Sequence, residues 1–193
     1  KGLAQDTLLI FTSDNGPVWF EHDVERFGHD ASGGLRGMKA DAWENGHRMP
    51  FIARWPGHVE AGSVSDQTLC FTDLLATMAA LLDVEITERE NLDSVDFSKV
   101  LTGDQPANIP VRENLAIVSG NGTMTIRKGP WKLITALGSG GFSKPGRIKP
   151  EPGGPTGQLY HLGDDPGEEH NLFSQKPDVV RQLNAELAKV RGR

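Results

Sequence analysis

The apolar run Leu8-Leu9-Ile10-Phe11, flanked by Thr7 and Thr12 and stopped by Gly16 and Pro17, predicts a short central strand buried on both faces. A second apolar run, Met49 to Trp55, closed by Pro56-Gly57, predicts another. Between them, Val18 to Asp41 carries glycine, charge and histidine with no period, as a long site-bearing loop does. Leu74, Leu75, Met78, Leu81 and Leu82 recur at helical spacing behind Thr72 or Asp73 as cap, and a weaker helix is predicted over Ser94 to Leu101. Alternating strand and helix in this way is an α/β pattern. The pattern changes at about Arg112. Leu115 to Val118, Thr123 to Arg127 and Trp131 to Thr135 read as short antiparallel strands separated by Asn121-Gly122 and Gly129-Pro130 turns. Gly138 to Gly157, rich in glycine and proline and without Walker spacing, reads as a flexible surface excursion. After Leu159 to Leu162 and a polar turn at Asp164-Asp165-Pro166, a helix starts near Pro177, with Val179, Val180, Leu183, Leu187 and Val190 on one face. The division expected from these elements is an α/β part over residues 1–111 and a small antiparallel-sheet domain with a closing helix over 112–193.

The chain has 193 residues, 37% of them hydrophobic, which allows one good-sized domain or a large piece plus a small one. A formal net charge of -6 argues against nucleic acid or an acidic membrane surface as the main partner. No apolar stretch approaches the roughly 18 residues of a membrane span. The single cysteine, Cys70, sits between Leu69 and Phe71 and reads as a buried thiol. The chain opens on Lys1-Gly2 rather than methionine, a few residues before a core strand, so it is expected to be a fragment or a processed product of a longer polypeptide.

The chemistry concentrates just beyond the first strand. Asp14 and Asn15 offer a carboxylate and an amide oxygen at a strand exit, where open α/β sheets gather ligands and where a hard cation takes oxygen donors. Asp14 to Pro17 are also ordinary turn formers, and both readings stand on these residues alone.

Ordered along the chain, several motifs resemble those of type I sulfatases, the arylsulfatase family of the alkaline-phosphatase-like superfamily. They are Phe11-Thr12-Ser13-Asp14-Asn15-Gly16, Leu35-Arg36-Gly37-Met38-Lys39, Glu44-Asn45-Gly46-His47-Arg48-Met49-Pro50-Phe51-Ile52 and Trp55-Pro56-Gly57. Arg127 to Leu133 follows, then Leu159-Tyr160-His161-Leu162 through Asp165-Pro166, Glu168 and Asn171-Leu172. The resemblance implies the carboxyl-terminal portion of an alkaline-phosphatase-like mixed-sheet domain, followed by a small antiparallel-sheet domain. It implies Asp14 and Asn15 as Ca²⁺ ligands, and Lys39 as the cation that holds the sulfate of a sulfate-ester substrate. Arg36 could face the same anion or pair with Glu44. His29 is the preferred histidine for a catalytic role, ahead of His22 and His47, each of which also has an ordinary surface or structural reading.

Two departures bear on activity. Asn45 stands where the family's segment usually has the first of two glycines. Family catalysis uses a formylglycine made from the Cys or Ser of a Cys/Ser-x-Pro-x-Arg motif; Cys70-Phe71-Thr72-Asp73-Leu74 is not that motif, and no other segment is expected to supply it. The nucleophile and the remaining calcium ligands are expected from an upstream part of the same polypeptide, with this chain inactive and a weak calcium binder alone. The alternatives are a phosphodiesterase or phosphonate hydrolase of the same superfamily, which more often uses paired metals with Asp and His ligands, and a non-catalytic binding domain.

Overall fold

The computed structural model describes residues 2–87 and 93–192, which form a mixed α/β arrangement with two antiparallel sheets. By internal contacts the chain falls into two compact units, each assembled from two stretches of sequence. Residues 1–12 and 51–115 make one, and residues 13–50 and 116–193 the other. This grouping is discontinuous along the sequence.

In the first unit, β1 (Leu9–Thr12) pairs antiparallel with β2 (Phe51–Arg54), Phe11 opposite Ile52. The expectation of a strand buried on both faces is corrected here. Leu9, Phe11 and Ile52 are exposed, because each strand has one hydrogen-bonded neighbour among the described residues and their shared face is left uncovered. Helix α2 (Asp73–Leu81) buries Ala76, Thr77 and Ala79, while Leu75 and Leu82 are exposed. Asp73 was expected as a cap and acts as a hub instead. Its carboxylate accepts from the Cys70 and Val95 amides and from Arg112, with Arg112 Nη2 2.6 Å from Oδ1. The weaker predicted helix shortens to α3 (Ser98–Thr102), since Ser94 is spent accepting the Ala76 amide and Asp96 turns its carboxylate onto Ser98. Cys70 is free and half-buried.

The second unit is built on a four-stranded sheet in the order β3 (Leu115–Val118), β4 (Met124–Lys128), β5 (Trp131–Ile134) and β6 (Gln158–His161). The last of these was not predicted as a strand. Side chains alternate across a sheet, and the consequence is visible in β5 and β6. Leu133 and Leu159 face helix α4 (Pro177–Arg191), packing with Ile126 against Val180, Leu183 and Leu187. Each such buried aliphatic side chain stabilises the unit by roughly 2 kcal/mol. Ile134 and Tyr160, one residue on, form a second cluster with Ala42, Trp43 and Leu162. The predicted loop over 18–41 contains a short helix, α1 (Glu21–Phe27), whose Asp23 reaches back to the Phe20 amide. The glycine-rich segment after β5 is no free excursion either. Gly138, Ser139 and Gly140 are buried, and the Ser139 and Gly140 amides donate to the Pro145 and Gly146 carbonyls.

Candidate active site

Asn15 and Lys39 meet at one open cavity of about 320 Å³ within the second unit, lined also by Asp41, His47 and the β3–β4 hairpin from Ile117 to Gly120. The size is in the range of small-molecule sites. Two backbone hydrogen bonds bring the sequence-distant motifs together. Lys39 N–H donates to the Pro17 carbonyl at 2.8 Å, and Gly16 N–H donates to the Gly46 carbonyl at 3.1 Å. Asp14, next to Asn15, is exposed, and its carboxylate lies 3.5 Å from the Ser13 hydroxyl. The Asn15 amide nitrogen donates to the Gly16 carbonyl, which leaves its oxygen as the donor for a cation. These hard oxygens suit Ca²⁺, but two fall short of the six to eight it takes. Among the described residues no group of three or more His, Cys, Asp or Glu side chains could hold a metal.

The other predicted residues lie elsewhere. Arg36 stacks on the Trp43 ring at 3.8 Å and donates to the Glu168 carbonyl at 2.6 Å. Its pairing is therefore with Trp43 and Glu168. His29 is exposed and does not line the cavity; its carbonyl accepts the Trp19 indole N–H. His22 stacks on Phe20. His47 does line the cavity, with Nε2 3.4 Å from Glu44 Oε1, and burial holds its imidazole below the ordinary histidine range.

Lys132 and Glu168 lie within the sequence motifs, where neither carries an expected role. Lys132 is buried between two carboxylates, its Nζ 2.9 Å from both Glu44 Oε1 and Glu168 Oε1. Glu168 Oε2 accepts the Glu44 backbone N–H at 2.6 Å. Burial pushes both carboxyls up. For Glu44 the His47 hydrogen bond and the Lys132 charge outweigh it and hold the group below the carboxylate range, whereas Glu168 stays above it. The network anchors the segment that follows the Lys39 turn to β5. The sequence carries no signal for this burial: in a half-covered strand a lysine between Trp131 and Leu133 alternates away from the apolar face and reads as solvent-exposed.

The expected absence of a formylglycine motif also needs correction. Ser143-Lys144-Pro145-Gly146-Arg147 fits Ser-x-Pro-x-Arg. In the folded chain Ser143 N–H donates to Asp41 Oδ1 at 3.1 Å and the Ser143 carbonyl accepts from Ser139 Oγ. Ser143 does not line the Lys39 cavity.

The Sulfatase family model matches residues 1–84. The chain is 37% identical, over 99% of its length, to an N-acetylgalactosamine-6-O-sulfatase of Bacteroides thetaiotaomicron, and 32% identical over 94% to human arylsulfatase A. It spans 37% of the length of each. A solved structure from work on the metabolism of multiple glycosaminoglycans by Bacteroides thetaiotaomicron superimposes with a TM-score of 0.84 at 36% identity. That match covers 99% of this chain and 40% of the other. The chain therefore belongs to the sulfatase family, and its motifs are those of the carboxyl-terminal part of such enzymes.

Proposed function

We propose that this chain supplies the sulfate-holding cation and part of a Ca²⁺ site to an enzyme that hydrolyses sulfate monoesters. The observation that carries the reading is the convergence of Lys39 and Asn15 on one cavity, on backbone segments joined by the hydrogen bond from Lys39 to Pro17. A sulfate ester develops negative charge on its bridging and non-bridging oxygens during transfer, and a fixed cation stabilises it most when water is excluded. A lysine ammonium, compact and with three donors, suits that role. Asp14 and Asn15 would hold one side of a calcium ion, which would supply a second cation to the sulfate oxygens. The missing ligands and the nucleophile come, on this reading, from elsewhere in the protein, for which the greater length of the relatives leaves room. The name of the Bacteroides relative, an N-acetylgalactosamine-6-O-sulfatase, makes a sulfated sugar one substrate class to assay, beside the aryl sulfates that the name of the human relative points to.

In the complete protein, Lys39→Ala is expected to lower kcat/KM for a sulfate ester by about a hundredfold to a thousandfold. Unchanged kinetics would remove Lys39 from the site. Ser143→Ala is expected to leave turnover within about twofold of wild type, as a side chain outside the cavity should. Lost turnover in a folded Ser143→Ala protein would make Ser143 the nucleophile. The isolated 193-residue chain is expected to show no metal-dependent sulfatase rate, and a measurable one would overturn the division of the site.

A further inference from the structure

The turn that carries Lys39 is held with more constraint than a surface loop requires. Asp41 N–H donates to the Met38 carbonyl at 3.0 Å, closing a four-residue turn with Lys39 and Ala40 at its centre. Ala40 has φ 71°, the left-handed conformation that the third position of a type II turn demands and that glycine or asparagine normally fills. An alanine there is strained by its own Cβ, and such residues persist only where their surroundings over-determine them.

The surroundings do so here. Gly120 N–H donates to the Ala40 carbonyl at 2.8 Å. A Cβ on Gly120 would stand 2.9 Å from the Ala40 Cβ, and one on Gly141 would stand 2.3 Å from the Ala40 carbonyl oxygen. The β3–β4 hairpin and the loop after β5 thus close on Ala40 from two directions, each through a glycine. The buried Asp41 carboxylate ties the turn's ends, accepting the Met38 amide at 2.9 Å on Oδ2 and the Ser143 amide on Oδ1. Gly120, Ala40 and Lys39 all line the same cavity.

We propose that Ala40, Gly120 and Gly141 are positioning residues that fix the direction in which Lys39 leaves the backbone, so that its ammonium is aimed before an anion arrives. The inference rests on the reading of Lys39 as the sulfate-holding cation. Lysine has a long, flexible stem, and a turn with a free third position would let its root swing as well. Ordering the root in advance lowers the cost of binding and keeps the charge where it develops in the transition state.

The test uses the complete protein and an aryl sulfate. Gly120→Ala is expected to lower kcat/KM at least about tenfold, because its new methyl strikes the Ala40 Cβ. Ala40→Gly removes the struck atom, so the double variant Gly120→Ala/Ala40→Gly should recover to the level of Ala40→Gly alone. That single variant relieves the strain without adding bulk. It is expected to lower kcat/KM about fivefold while the melting temperature does not fall, a divergence that a merely structural role would not produce. If Gly120→Ala fails to fold, Ala40→Gly decides. Wild-type kinetics for Ala40→Gly, beside a crippled Lys39→Ala, overturn the clamp and leave the Lys39 reading intact. Wild-type kinetics for Lys39→Ala overturn that reading and the clamp with it.

Discussion

Replacing Lys132 with methionine is expected to destabilise the sheet unit by about 3–5 kcal/mol, a large share of the stability of an ordinary domain. The side chain is 1% exposed and neutralises two carboxylates at once, each 2.9 Å from its Nζ. Methionine fills much of the volume but carries no charge. Glu44 would keep His47 at 3.4 Å and Arg48 and Arg127 at 3.8 Å, but the buried Glu168 would lose the one ion pair its carboxylate makes among the described residues and would have to take up a proton or draw in water. The loss should grow as the pH rises through the carboxylate range. Glu168 is already held above that range by burial despite the lysine, so without the lysine its folded pKa rises further. A carboxyl whose pKa is higher folded than unfolded costs stability as pH climbs from the unfolded value through the folded one. Urea unfolding of wild type and Lys132→Met between about pH 4 and 8 checks this. The gap should widen upward, and adding Glu44→Gln and Glu168→Gln should recover much of it. An equal gap at every pH would mean that lost packing, not unpaired charge, is the cause.

The second large effect is expected at Gly16. A methyl placed there would lie 1.6 Å from the Asn45 carbonyl oxygen and 2.9 Å from the Gly46 carbonyl carbon, both backbone atoms that no rotamer change can move. Gly16→Ala must separate the two segments and break the hydrogen bond from Gly16 to Gly46. Overpacking against side chains costs about 1–3 kcal/mol, and against backbone the cost should reach or exceed the top of that range. The separation would also carry Asn15 away from Lys39. On the proposed reading, Gly16→Ala in the complete protein should therefore lose stability in urea and calcium-dependent turnover together. Wild-type turnover at wild-type stability would show that the two segments are not packed as described. The same contact explains why an Asp-Asn pair at this turn is followed by glycine: the residue is selected by the approach of the Asn45-Gly46 backbone as well as by the turn.

How far the sequence was legible differs from element to element. The strands at 115–118 and 131–134 follow from short apolar runs set off by Asn-Gly and Gly-Pro turns, and the helix from Pro177 follows from an apolar face at helical spacing; all three form much as read, because turn chemistry and a helix's buried stripe are local. The apolar run Leu8 to Phe11 gives a strand as read, but with less cover than its composition suggests. A continuous apolar run signals two faces that need cover, but the number of covering layers depends on what else is present, and here Leu9 and Phe11 are exposed. The segment over 138–157 shows the converse. Glycine and proline usually mark a loose loop, yet glycines also permit close backbone approach, and Gly140 and Gly141 are pressed against Ser119 and Ala40.

Short motifs in order are enough to read the family from the sequence, and with it the residues proposed here for the chemistry, Asp14, Asn15 and Lys39. These are local statements, since a motif names its residues whatever they touch. It takes the folded chain to bring Asn15 and Lys39 to one cavity and to bind Arg36 to Trp43 and Glu168. Folding likewise sets Lys132 between Glu44 and Glu168, and Ala40 between Gly120 and Gly141. Each of these joins segments far apart along the chain, where the energy depends on distance and burial after folding, quantities that no spacing in the sequence encodes.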